Sequence, residues 1–356
     1  MFAYLCKRLA LLLPTLLAII TLNFFIIQAA PGGPVERMLA QLENLNVADS
    51  KGGFGAGGEI STTMQGYKNT AITEQMREQI QKLYGFDKPI LERYLSMIAS
   101  YLTFEFGESY YKQQQVWKLI IERLPVSISL GLWSTLLIYL ISIPLGIKKA
   151  VAHGSRFDAW SSLVIIVCHA IPTFLIAILF IVLFAGGSFF ELFPLKGLSS
   201  DYAHNLGFFE RALDYLWHIT LPVLSLTLGG FAALTLLCKN SFLEEIHKQY
   251  TITAAIKGAT HARILYGHVF RNAMLIVIAG FPSAFVGIFL SGSLLIEIIF
   301  SLEGLGLLGY ESALNRDYPV VFGTLYIFTL IGLLTTLVSD LCYRLIDPRI
   351  DFEART

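Results

Sequence analysis

Fixed charge is almost missing from six long stretches of this 356-residue chain, although the whole carries 26 basic and 26 acidic residues. Charged residues make up 15 % of the composition and hydrophobic ones 55 %, whereas a soluble domain is about a quarter charged. The deficit lies in apolar runs at residues 9–30, 126–147, 159–185, 219–238, 273–296 and 320–341. Each reaches the roughly 20 residues needed to cross a bilayer core. Backbone polar groups in lipid must bond within their own segment, so the runs read as helices. A net charge of zero gives no sign of nucleic-acid binding.

Cysteine is equally scarce. Cys6, Cys168, Cys238 and Cys342 lie in or beside apolar runs rather than in the long polar segments, which excludes a disulfide framework. No Gly-Lys dipeptide occurs anywhere, so the chain has no phosphate loop of the form G-x-x-x-x-G-K-[ST]. The span interiors lack Asp, Glu, Lys and Arg, with Asp340 at the very end of the last run. Those are the residues through which ion-coupled transporters and proton relays ordinarily work. His169 is the one imidazole deep in a run. It reads either as a neutral side chain bonded to a neighbouring helix beside Pro172 or, less commonly, as a proton relay. Facing Asp pairs, a Ser–His pair and metal-ligand His and Glu sets are missing from the spans, which argues against an intramembrane enzyme. An ion-coupled transporter or channel built on broken helices stays open as the alternative.

What is present is asymmetry. With the N-terminus placed inside, the inner segments hold Lys7, Arg8, Lys148, Lys149, Arg156, Lys239, Lys248, Lys257, Arg263, Arg271, Arg344, Arg349 and Arg355. The two short outer loops hold only Lys196, Arg211 and Arg316, so both termini are expected in the cytoplasm. The first run is longer than a signal-peptide core and lacks an A-x-A site, so it reads as a retained anchor. The polar stretch after it contains a glycine-rich loop at 51–58 and two expected helices, at 73–84 with Thr73 as cap and at 89–103. It reads as a small external insert or as a plain solvated loop.

The longest inner stretch between spans runs from Lys239 to Asn272. Ser241 to Glu244 has the pattern of a capping box, which predicts a helix start at Ser241. Leu243, Ile246, Tyr250 and Ala254 recur on one face. Lys257 and Gly258 suit its C-terminal end, and a second short helix is expected at 261–270. Two short helices with a sharp corner make a knob for a partner's cleft. The alternative is an amphipathic helix resting on lipid headgroups. If ATP drives the chain, this is where force from another polypeptide must enter.

The sequence YTITAAIKG at 250–258, followed by HVFRNA at 268–273, resembles the cytoplasmic coupling loop of binding-protein-dependent ABC importer permeases. Its Y-x-x-T-A start and basic-Asn-Ala ending are similar to the oligopeptide and dipeptide branch; Ile252 stands where the general motif has glutamate. The likeness continues in PGGP at 31–34, YGFDKP at 84–89, FGES at 106–109, LPVSISLG at 124–131, EIIFS at 297–301, GLG at 304–306, RDYP at 316–319 and DPRI at 347–350. Within the branch it is closest to the permeases linked to import of peptides and microcin C.

The resemblance implies an all-α integral membrane protein of six transmembrane helices with the type I ABC importer permease fold and a mixed external insert after the first helix. It divides the chain into an anchor helix at 1–30, a periplasmic insert at 31–120, a permease domain at 121–342 with coupling helices about 241–270, and a tail at 343–356. The implied ATPase-coupling residues are Leu243, Ile246, Tyr250, Thr253, Ala254, Lys257, Gly258, His268, Arg271 and Asn272. The implied outer gate or partner contacts are Glu297, Phe300, Gly304, Gly306, Arg316 and Asp317. On residue chemistry alone, Glu297 reads as a side chain snorkelling to the interface or contacting substrate, Gly304 and Gly306 as turn formers, and Arg316 with Asp317 as a local pair. The implied partners are a second homologous permease, cytoplasmic ATPase domains carrying ATP and magnesium, a periplasmic substrate-binding protein and a peptide substrate. The chain itself is expected to bind no cofactor and to catalyse no covalent step.

Overall fold

The computed structural model describes residues 2–29, 88–186, 189–287 and 294–346. Among these every regular element is helical, apart from one antiparallel bridge between Glu108 and Gln115. In chain order the main helices are α1 (Phe2–Ala29), α2 (Ile90–Leu102), α3 (Val116–Val151), α4 (Arg156–Ala170), α5 (Thr173–Phe184) and α6 (Phe208–Ile246). They are followed by α7 (Gln249–Ile256), α8 (His261–Ile264), a π-turn at Leu265–Val269, α9 (Phe270–Ala279) and α10 (Phe281–Gly287). The last three are α11 (Leu294–Ile299), α12 (Leu305–Asn315) and α13 (Tyr318–Ile346). Five helical stretches are long and apolar enough to cross a membrane, and six if α4 and α5 count as one broken span.

The chain divides into two compact units. The first comprises Met1–Leu9, Ile120–Tyr310 and Phe328–Thr356; the second comprises Ala10–Leu119 and Glu311–Ile327. In the first, α6 is the central helix and packs on α4, α5 and α9. One apolar cluster there includes Ile138, Phe231, Phe242, Val269 and Val277, and another includes Leu130, Ala177, Leu221, Phe300 and Leu302. The second unit holds an aromatic cluster in which the rings of Tyr101, Phe106 and Tyr326 lie 5.1–5.6 Å apart. Many large apolar side chains of α1, α4 and α5 face outward, among them Leu13, Trp160 and Leu179. Lipid offers no hydrophobic penalty for that arrangement.

Several expectations change. The third run is not one straight helix: α4 and α5 meet at 91°. Ile171 is extended (φ −85°, ψ 121°) and Pro172 follows with ψ 136°, because proline's ring disfavours a helical residue before it. His169 is exposed at the end of α4 and has no hydrogen bond to a neighbouring helix among the described residues. The second run begins at Val116 rather than 126, since the helix continues through Pro125. The short helix expected at 261–270 is not separate: α8 runs through the π-turn into α9 as one stretch, His261–Gly287, apolar enough to cross. The helix expected at 89–103 is present as α2, with Pro89 and Thr103 as its caps. The sites at 31–34 and 51–58, the helix at 73–84 and the ending at 347–350 lie outside the described residues.

Candidate functional site

The segment between α6 and α9 is built on helix length. With 39 residues, α6 is about 58 Å long at 1.5 Å per residue, far more than a hydrocarbon core of about 30 Å needs. Its end therefore projects beyond the bilayer and carries α7 with it. No helix starts at Ser241, contrary to the capping-box pattern. The residues before it are already helical, so the following N–H groups have partners, and its hydroxyl donates across to the Ala273 carbonyl at 2.7 Å. The break comes at His247 and Lys248. Thr251 fastens the new helix to the old by donating to the Ile246 carbonyl at 2.7 Å and the Lys248 carbonyl at 2.6 Å. At the far end Gly258 adopts φ +81°, a left-handed geometry that costs any residue with a Cβ roughly 1 kcal/mol or more. Thr260 then caps α8, accepting from the Arg263 N–H at 3.4 Å.

The faces of this elbow are the reverse of what periodicity suggested. Leu243, Ile246 and Tyr250 turn inward and pack on the Phe242–Val269 cluster of the chain itself. The Tyr250 hydroxyl donates to Glu245 at 2.8 Å and also bonds the side chain of Asn272. Burial raises its pKa, the Asn272 bond opposes that shift, and the Glu245 bond reinforces it. Glu245 also takes the ammonium of Lys248, and this hydrogen bond holds the Lys248 pKa above its ordinary value. What α7 leaves open is Ile252, 55 % exposed, and Ile256, 81 % exposed, flanked by exposed Thr253 and Lys257. Ala254 is half-buried, and His268, Arg271 and Asn272 are exposed. The departure from the family motif at Ile252 thus falls on the open edge.

The outer-gate candidates separate into two buried carboxylate clamps. Glu297 does not snorkel; it is fully buried, as is Phe300 three residues on. It accepts from the Ser127 hydroxyl at 3.2 Å and from the Leu307 N–H at 2.7 Å. Ser127 in turn accepts from the Leu305 N–H at 2.8 Å. Gly304 and Gly306 do more than turn the chain. A Cβ on Gly304 would stand 2.3 Å from the Glu297 carboxyl carbon, and one on Gly306 3.1 Å from its Oε2. Gly304→Ala should therefore destabilise the chain by about 1–3 kcal/mol through overpacking. Melting of the purified chain should show that cost shrinking in a Glu297→Ala background, where the clash is gone.

In the second unit Asp317, also buried, is held by segment 109–111. It accepts from the Ser109 hydroxyl, from the Tyr110 N–H at 3.0 Å and from the Tyr111 N–H at 3.4 Å. These bonds, rather than a pairing with its neighbour, occupy the carboxylate. Arg316 takes a left-handed conformation (φ 53°) at the turn into α13.

One constellation was missed. Lys149 has no exposed side-chain surface, yet its ammonium lies 3.0 Å from Asp158 Oδ1. It also donates to the Asp158 carbonyl at 2.9 Å and to the Ser161 and Ser162 hydroxyls at 2.7 Å each. Lys239 on α6 donates to both oxygens of the same carboxylate, at 2.7 and 2.8 Å. The network fastens α3, α4 and α6 together at the end from which α7 projects. From sequence these lysines counted only as topology charges. The one local signal was Ser155, whose hydroxyl caps α4 by accepting from the Asp158 N–H.

Residues 142–352 match the family described as "Binding-protein-dependent transport system inner membrane component". The chain belongs to this family. An inner membrane ABC transporter permease protein YejB of Escherichia coli O157:H7 is 58 % identical over the full length of both chains. A peptidoglycan transport system permease protein YejB of Agrobacterium fabrum is 53 % identical, again over both full lengths. An oligopeptide transport system permease protein AppB of Bacillus subtilis is 31 % identical over 99 % of this chain and 100 % of that one. As a member of the binding-protein-dependent permeases, the chain is an all-α, multi-pass inner-membrane transport subunit of the ABC importer class. The projecting elbow lies within the matched stretch.

Proposed function

We propose that this subunit forms half of an importer's translocation pathway for peptides or peptide-like compounds, microcin C and peptide-bearing cell-wall fragments included. The other half is a second homologous permease. ATP and magnesium are held by separate ATPase domains on the cytoplasmic side, and a periplasmic binding protein delivers cargo to the outer mouth. Both termini are cytoplasmic. The insert at 31–120 and the segment around Glu297, Phe300, Gly304, Gly306, Arg316 and Asp317 then lie on the receiving side.

The single observation behind this reading is the elbow. It stands beyond the spans, is braced from within by Tyr250, Glu245 and Asn272, and presents an apolar edge, Ile252 and Ile256, that the described residues leave exposed. That edge, with Thr253, Ala254, Lys257 and Gly258 around it and His268, Arg271 and Asn272 beside it, is the docking surface for the ATPase. Closure of the ATPase dimer moves the elbow, α6 carries the displacement into the spans, and the cavity alternates between its two openings. The peptide cargo rests on the named systems of the relatives.

Purification in mild detergent followed by mass spectrometry should recover a paralogous permease and an ATPase in stable association. Reconstituted with its binding protein, the complex should take up peptide only with ATP. Uptake without nucleotide and sensitive to an uncoupler would overturn the reading in favour of an ion-coupled transporter.

A further inference from the structure

The helix α2 lies outside every span, yet it leaves a stripe of large apolar side chains open. Leu91 is 69 % exposed, Leu95 57 % and Leu102 53 %. At 3.6 residues per turn these three share one side of the helix. Around the circumference α2 has three sectors. Tyr94, Met97, Ile98 and Tyr101 turn toward the second unit. Leu91, Leu95 and Leu102 come next, contiguous with that packed side. Glu92, Ser96, Ser100 and Arg93 complete the circle. The apolar arc is thus wider than the protein surface it covers, and its uncovered part borders a polar arc. That is the pattern of a helix lying between hydrocarbon and water.

The depth of the helix is set by its contacts. The Tyr94 hydroxyl lies 2.6 Å from Thr21 Oγ1, and its ring packs on Phe24 at 5.2 Å. Both partners fall within the apolar stretch Arg8–Ile26 of the first span. At the other end Tyr101 packs on Tyr326 at 5.5 Å, and Tyr326 falls within the apolar stretch Tyr318–Cys342. Thr21 is five residues before the end of the first apolar stretch, and Tyr326 is eight residues after the start of the last. These offsets are about 8 and 12 Å of helix, so two independent contacts place α2 inward of the ends of both stretches. Trp117 sits in the first turn of α3 with its ring half-open, beside the equally open Phe104. Tryptophan rings such as that of Trp117 collect at the boundary between headgroups and acyl chains.

We infer that α2 is an interfacial helix whose Leu91–Leu95–Leu102 stripe is seated in the lipid of one leaflet, bracing the first and last spans from the side. With the orientation proposed above, this is the outer leaflet. The inference requires only that α1 and α13 cross the membrane, so it does not depend on the cargo or on the ATPase.

The test places a photoactivatable diazirine side chain, genetically encoded, at Leu95 and, in a second variant, at Ser96. Native membrane vesicles carrying the whole importer are illuminated and the adducts identified by mass spectrometry. The expected result is phospholipid adducts in several-fold excess at Leu95 and water adducts at Ser96. Water adducts at both positions would overturn the proposal. So would protein adducts at Leu95, whether to residues 30–87 of this chain or to the binding protein, because the stripe would then be a protein contact. Co-purification of the sister permease with each variant checks that the probe has left the fold intact.

Discussion

Placing glutamate at both Ile252 and Ile256 should abolish ATPase co-purification and ATP-driven uptake while leaving the melting profile of the permease near that of the unaltered chain. Both side chains are already in solvent, so the change removes nothing from the chain's own core. It converts the centre of the proposed docking surface from apolar to charged. Truncations at such centres typically cost 2 kcal/mol or more of binding free energy, about thirtyfold in affinity. Buried like charges add to that loss. The opposite edge should behave differently. Leu243→Ala or Ile246→Ala removes packing against the Phe242–Val269 cluster, so either change should lower melting first and ATPase binding only in consequence. A double glutamate variant that still binds ATPase and transports normally would show that α7 docks through some other face.

Asp158→Ala should be the most destabilising single substitution where α3, α4 and α6 meet. It strands the Lys149 ammonium, which has no solvent-exposed surface, together with Lys239 at 12 %. Removing one partner of a buried ion pair costs about 3–5 kcal/mol, because the remaining charge keeps its desolvation penalty. Asp158→Asn keeps the shape but not the charge and should fall in the same range. Replacing Lys149, Asp158 and Lys239 together with apolar residues of similar size should recover much of the loss. Detergent-solubilised melting and protease resistance of the purified permease are the measurements. An Asp158→Ala chain as stable as the original would mean that water reaches these lysines and that the network contributes little. If the triple replacement melts normally yet uncouples ATP hydrolysis from uptake, the network transmits motion from α6 to α4 as well as holding them.

Much of the architecture was legible because lipid imposes a simple rule. A run without charge and about 20 residues long must be a helix, and five of the six runs appear as helical stretches of membrane-crossing length. The segment between the fourth and fifth runs stood out for the same reason: it is polar where its neighbours are not. The α7 helix, its left-handed Gly258 and the Thr260 cap of the next helix are local features; local sequence chemistry found the end at Gly258 but placed the start at Ser241 instead of Gln249, because the capping-box pattern falls inside α6. Hydrophobic periodicity, by contrast, marks an apolar face without saying what covers it. Leu243, Ile246 and Tyr250 were expected to meet a partner and instead meet Phe242 and its neighbours.

The amino-acid sequence by itself determined that this chain lives in a membrane, roughly where it crosses, and which segment is polar between two of its spans, because those are questions of composition along a line. Tertiary structure alone decided which side of α7 is free, that α4 and α5 meet at 91°, and that Glu297 and Asp317 close on hydroxyls and N–H groups within their own units. It also joined Lys149 and Lys239, ninety residues apart, on one carboxylate. The reason is physical: burial and pairing depend on distances through space, and a charge in a sequence carries no mark of which opposite charge, or how much water, will stand beside it.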